Sequence, residues 1–165
     1  MNNAIFENAK AVAEELGLNI DDFKEEKTLT NGGVLYLSSE PKLGGGVTYN
    51  GFIVGIDNSF LPCTTDYPVE LYIERYEQGD KHTIVTNTDS YKEIFKKVDE
   101  LPVDTETCIA ELINYKPEMG MVDPMTQGQI YRAIEKAFKK KGNILVRTSD
   151  SFGGLAYYSK FKKTN

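Results

Sequence analysis

The sequence predicts an α+β fold: an antiparallel or mixed sheet of five to six strands, with helices packed mainly on one face. Three observations lead there. Apolar residues fall at helical spacing over 3–17 and again only beyond residue 90. The stretch between them reads with period two. The order is therefore helix, strands, three helices and a last strand pair. That order belongs to segregated architectures rather than to alternating βα units.

Taken in order, Ile5, Ala9, Val12, Ala13 and Leu16 make the stripe of the first helix, and Gly17 can stop it. Residues 20–30 (IDDFKEEKTLT) read as a charged connector or a short extra turn. Residues 33–39 read as a strand that Pro41 ends, and Gly44, Gly45 and Gly46 as a loop. Residues 47–57 read as one longer strand with a bulge or close backbone approach at Gly51 and Gly55, in preference to a hairpin at Asn50-Gly51. Asn58 to Pro68 reads as a loop. Residues 69–76 (VELYIERY) alternate, Val69, Leu71 and Ile73 against Glu70, Tyr72 and Glu74, as a half-buried strand does. A turn at 78–80 would return the chain into a partner strand at 81–87.

The period then changes. Tyr91, Ile94, Phe95 and Val98 line a helix whose cap is Ser90, Thr88 or Asp89. After Pro102, Asp104 can cap a second helix carrying Cys108, Ile109, Leu112 and Ile113. Residues 116–125 read as a loop. Thr126 and Gln129 have capping-box spacing before a third helix, whose Ile130, Ile134, Ala137 and Phe138 face inward and whose end is marked by Gly142. Residues 143–148 and 154–161 read as a closing strand pair, joined by a turn at 149–153.

The length of 165 residues suits one domain, 1–165, by the usual prior of about 100–200 residues. With hydrophobic residues at 40% and charged residues at 27%, the composition is globular rather than disordered. Two cysteines, Cys63 and Cys108, are too few for a secreted disulfide scaffold. The opening MNNAIFENAKAVAEELG carries early charges and no apolar core, so no signal peptide is expected. No apolar run approaches the roughly 20 residues of a membrane span. A reduced, cytoplasmic, acidic protein with no membrane partner is the expectation.

Phosphate chemistry is the first functional class to test. Consecutive backbone N–H groups at Gly44–Gly46 can cradle an anion, but neither a Walker pattern nor a strand–GxGxxG–helix fingerprint is present. A tight or mobile loop is the plainer reading. His82 is the chain's one histidine, and with Cys63 it would make the nucleophile pair of a thiol-dependent hydrolase or transferase if the two came within hydrogen-bond reach. Their offset along the expected hairpin argues against this. Cys108 reads as a core thiol. No clustered ligands suggest a metal, and no cofactor is expected.

Residues 124–165 hold nine bases and two acids within a chain of net charge −6. Arg132, Lys136, Lys139, Lys140, Lys141, Arg147, Lys160, Lys162 and Lys163, with Tyr157, Tyr158 and Phe161, could hold a nucleic-acid backbone. The overall acidity opposes that, and a phosphate-mimicking role rests only on the acidic middle. The tyrosines carry a further signal, because tyrosine is enriched at protein interfaces. The functional expectation is a non-enzymatic protein-binding module, of inhibitor, immunity or accessory type. Its surface would comprise Glu70, Tyr72 and Glu74 on an exposed sheet face, extending to Gly44, Gly45 and Gly46.

Overall fold

The computed structural model describes residues 3–116, 118, 123–149 and 156–165. The chain divides into two compact units, residues 1–84 and 85–165. The fold is α+β, with a five-stranded antiparallel sheet in the first unit and a separate two-stranded sheet in the second.

In the first unit, helix α1 (Asn3–Leu16) buries Ile5, Ala9, Val12 and Ala13. Gly17, at φ 75°, stops it, and Leu18 N–H returns to Ala13 C=O at 2.7 Å in the 6→1 closure that favours glycine. The strands follow as a meander in spatial order β1 (Lys24–Thr28), β2 (Val34–Gly44), β3 (Val47–Val54), β4 (Ser59–Thr64) and β5 (His82–Thr83). The α1 stripe packs on Val34, Tyr36, Phe52, Val54 and Phe60. The alternate residues, Leu35, Ile53, Leu61 and Cys63, face a second helix, α2 (Val69–Glu77), and pack on its Tyr72 and Tyr76. Each face of the sheet thus carries one helix, and α1 has the larger apolar cluster.

Four expectations are corrected here. Residues 69–76 form α2, not a strand. Val69, Tyr72, Ile73 and Tyr76 are the residues that turn inward, spaced as i, i+3, i+4 and i+7. Over eight residues this stripe coexists with an apparent alternation. The segment read as a connector or short turn does open on a helical turn, Ile20–Asp22, but then forms β1, an edge strand whose five residues are all exposed. It carries no apolar period because both of its faces are wet, and it is pinned by buried Phe23 on the α1 side and Leu29 on the α2 side. Residues 59–64, read as loop, are β4, and β5 pairs with that strand at Ser59 and Phe60. Because β5 reaches no further, Pro62 sits where β4 has become an edge, the position at which a strand tolerates proline. Pro41 does not end β2. The strand runs on to Gly44 across a register shift between Leu37 and Lys42, a bulge that takes up the residue without an N–H.

The bulge expected near Gly51 is present, as a register shift between Tyr49 and Gly51. A Cβ at Gly51 would stand 2.0 Å from Tyr36 O, so only glycine lets β2 and β3 close here.

In the second unit, α3 (Asp89–Asp99) is capped by Thr88, which accepts from Tyr91 N. Helix α4 is short, Ile109–Leu112, and follows Cys108 rather than Asp104; Asp104 stands at φ 66°. Helix α5 (Pro124–Lys140) is capped by Asp123, whose carboxylate accepts from Thr126 N–H, so the cap precedes Thr126. Strands β6 (Ile144–Arg147) and β7 (Phe161–Thr164) pair antiparallel. The last strand begins later than the sequence suggests, after a helical turn at Ala156–Tyr158. The expected turn at 149–153 and the loop at 116–125 lie largely outside the described residues. Ile94, Val98, Cys108, Ile109, Ile130, Tyr131, Ile134, Phe138, Tyr157 and Phe161 form one core.

Candidate functional site

Helix α2 carries three of the predicted site residues, Glu70, Tyr72 and Glu74. Its inner side is fixed by two tyrosines. Tyr72 is only 4% exposed, and its hydroxyl lies 2.5 Å from Thr64 Oγ1. Tyr76 is 2% exposed, with its hydroxyl 2.5 Å from Ser59 Oγ. The expectation of an exposed Tyr72 between two carboxylates is therefore corrected. On a helix Tyr72 points opposite to its neighbours and becomes part of the support. Glu70 and Glu74 remain exposed, as expected.

Leu71, expected to face inward with Val69 and Ile73, is instead 37% exposed, and Tyr67 is 54% exposed. Residues 70, 71 and 74 share the outer side at helical spacing, whereas Tyr67 stands just before the helix with its ring 6.2 Å from that of Tyr72. The outer side of α2 thus sets Leu71 among three carboxylates, Glu70, Glu74 and exposed Glu77, with exposed Asp66 in the turn before the helix. The helix's one base, Arg75, is turned to Asp80 Oδ2 at 2.7 Å and stacks over the Tyr72 ring.

Gly44, Gly45 and Gly46 close the β2–β3 hairpin. Gly45 and Gly46 stand at φ 57° and 84°, the two positive values of a type I′ turn. A Cβ at Gly44 would lie 2.3 Å from Leu16 O, so the turn packs on the end of α1. The glycines are thus explained by a tight turn and a close approach. They lie by the α1 end of the sheet, apart from the α2 residues with which they were grouped.

Cys63 and His82 do not form a pair. Cys63 is fully buried against α2, and burial pushes its thiol up to about 12. His82 is exposed and pairs with Phe60, with the two rings 5.5 Å apart. Phe60 packs on the α1 side, so the imidazole and the thiol belong to opposite faces. Such a thiol is no nucleophile at neutral pH. Cys108 is buried in the second core, as expected.

The basic C-terminal region spends its aromatics on the interior. Tyr157 and Phe161 are buried. Lys163 is buried as well and donates to Asp99 O at 2.9 Å, while Lys141 pairs with Asp99 Oδ1 at 3.0 Å. A stacking platform for bases needs those rings outside. Among the described residues, no group of three or more His, Cys, Asp or Glu is placed to hold a metal ion. No helix there is long and apolar enough to cross a membrane.

Compared with known proteins, the chain matches no family model, no curated protein and no solved structure. Fold and site together define a small α+β protein in which no catalytic grouping is assembled among the described residues.

Proposed function

We propose that the chain is a non-enzymatic protein-binding module, of inhibitor, immunity or accessory type, that takes a basic partner on the outer side of α2. The observation that carries this is the exposure of Leu71 among Glu70, Glu74 and Glu77 on a helix anchored from beneath by Tyr72 and Tyr76, with exposed Asp66 and Tyr67 just before it. Apolar side chains supply the desolvated centre of an interface, while surrounding like charges select the partner's sign and speed its arrival. A helix already held in place loses little further freedom on binding. The hairpin end at Gly44, Gly45 and Gly46 stays in the reading as a lesser point of contact, because Leu43 and Val47 are exposed beside it.

A photocrosslinking residue at position 71, with a control at exposed Asp22, tests the reading in cells. Capture of a protein with a basic face from 71 and not from 22 is expected. Glu70→Lys with Glu74→Lys should weaken that association about tenfold, equivalent to ~1.4 kcal/mol. No adduct from 71, equal capture from both positions, or indifference to the double charge reversal overturns it.

A further inference from the structure

We infer that the partner of the α2 face is a second copy of this chain, presenting the outer side of α5. The inference rests on the α2 reading above and names the occupant. Charge is divided unequally between the two units. Residues 1–84 hold fourteen acids and six bases, whereas residues 85–165 hold eleven acids and thirteen bases. Four of the second unit's thirteen bases stand on α5. Arg132 and Lys139 are exposed and seven residues apart, so they share one side of the helix. Lys136 and Lys140 are exposed on the same helix, and Glu135 is its one acid.

Shape adds to charge. Beside the C-terminal half of α5 runs an open groove of about 540 Å³, lined by Glu135, Lys139, Gly142, Asn143, Ile144 and Leu145. Ile144 is exposed there. The groove sets Ile144 and Leu145 beside one base, Lys139, and one acid, Glu135, and a helix carrying exposed Leu71 would enter it in the helix-in-groove mode of recognition. The two faces differ, so the contact is heterologous. Copies then join head to tail, in a closed ring or an open chain.

Sedimentation of the purified chain tests this at about 100 μM, first near 0.1 M and then near 1 M salt, between which the Debye length falls from about 10 to about 3 Å. Concentration-dependent association at low salt, lost at high salt, is expected. Glu70→Lys/Glu74→Lys and Arg132→Glu/Lys139→Glu should each be monomeric and folded, since all four positions are exposed. Mixing the two variants should restore association, because the intact α5 of one meets the intact α2 of the other. A monomeric wild type, a salt response independent of concentration, association indifferent to the variants, or a mixture that stays monomeric overturns the inference. If the wild type is monomeric while the residue-71 crosslink still captures another basic protein, only the self-partner fails. If that crosslink captures nothing, the α2 reading fails with it.

Discussion

Tyr76 donates its hydroxyl proton to Ser59 Oγ across 2.5 Å. The direction follows from counting protons. Ser59 has a single hydroxyl proton, and it is committed to Asp57 Oδ1, also at 2.5 Å, so Ser59 must accept from Tyr76. A chain of bonds then runs from the inner side of α2 through the start of β4 to the β3–β4 turn, where Lys81 meets the other carboxylate oxygen at 3.3 Å. No Cβ is tolerated beside it: one at Gly55 would stand 2.5 Å from both Tyr76 OH and Asp57 Oδ1.

Removing either end of the Ser59–Tyr76 bond should have unequal effects. Tyr76→Phe deletes the donor and leaves Ser59 bonded to Asp57, a loss of about 1 kcal/mol. Ser59→Ala leaves the Tyr76 hydroxyl buried without an acceptor and strips Asp57 of a bond, a loss of about 2–3 kcal/mol. Urea denaturation of both variants measures the difference. Equal losses would show that the direction assigned to the proton is wrong.

Asp57 sets a pH dependence. The bond from Ser59 holds its carboxyl below the usual carboxylate range, against a smaller opposing effect of burial and with help from Ser59 N–H and Lys81. A pKa lower in the folded state means that the stabilisation is present above the unfolded value, about 3.9, and is lost as pH falls through the folded value. Since the side chain is 58% exposed, the stabilisation at neutral pH should stay below ~1 kcal/mol. Asp57→Asn should therefore be slightly less stable than the wild type at neutral pH and equal to it in strong acid. A gap that widens on acidification would contradict the assignment.

Tyr72 is the test of the helix itself. Tyr72→Ala should cost about 3–5 kcal/mol, as truncation of a buried aromatic does. Leu71→Ala, one residue along, should stay within about 1 kcal/mol because its side chain already meets solvent. Thermal or urea melts of the pair read this directly. The opposite ranking would return the segment to a strand with Tyr72 outside.

The thiols should be silent in the native protein. Cys63 and Cys108 are both buried and free, and the Cys63 thiol is pushed up to about 12 by burial. A chromogenic disulfide reagent at pH 8 should label neither at the rate of an exposed thiol and both after denaturation. Fast labelling of Cys63 in the folded state would require an opening of the α2 layer.

The sequence was most readable where burial is one-sided and the segment long. Helix α1 shows three turns of stripe, and the inward residues Ile130, Ile134 and Phe138 of α5 were legible for the same reason. It was least readable at three short segments. Lys24–Thr28 has no buried side chain from which a period could be read. Ser59–Thr64 is buried on both sides, so no polar alternation marks it, and Pro62 suggests a loop. Val69–Glu77 is too short for period two to be told from 3.6 without its partners. That last ambiguity moved the site: it exchanged Tyr72 for Leu71 as the side chain that meets solvent, while Glu70 and Glu74 stay outside under either reading. The second cores and the polar chain at Ser59 depend on residues far apart in sequence, which no local pattern reports.

A layer bounded by Lys24–Thr28 on one flank, and on the other by the two-residue β5 with Pro62 beyond it, is hard to lengthen. Another backbone that tried to continue the meander would meet a row of solvated lysines and glutamates at one margin and a missing N–H at the other. Edge-to-edge addition of a further strand, the step that seeds β-aggregation, is thereby disfavoured at both margins.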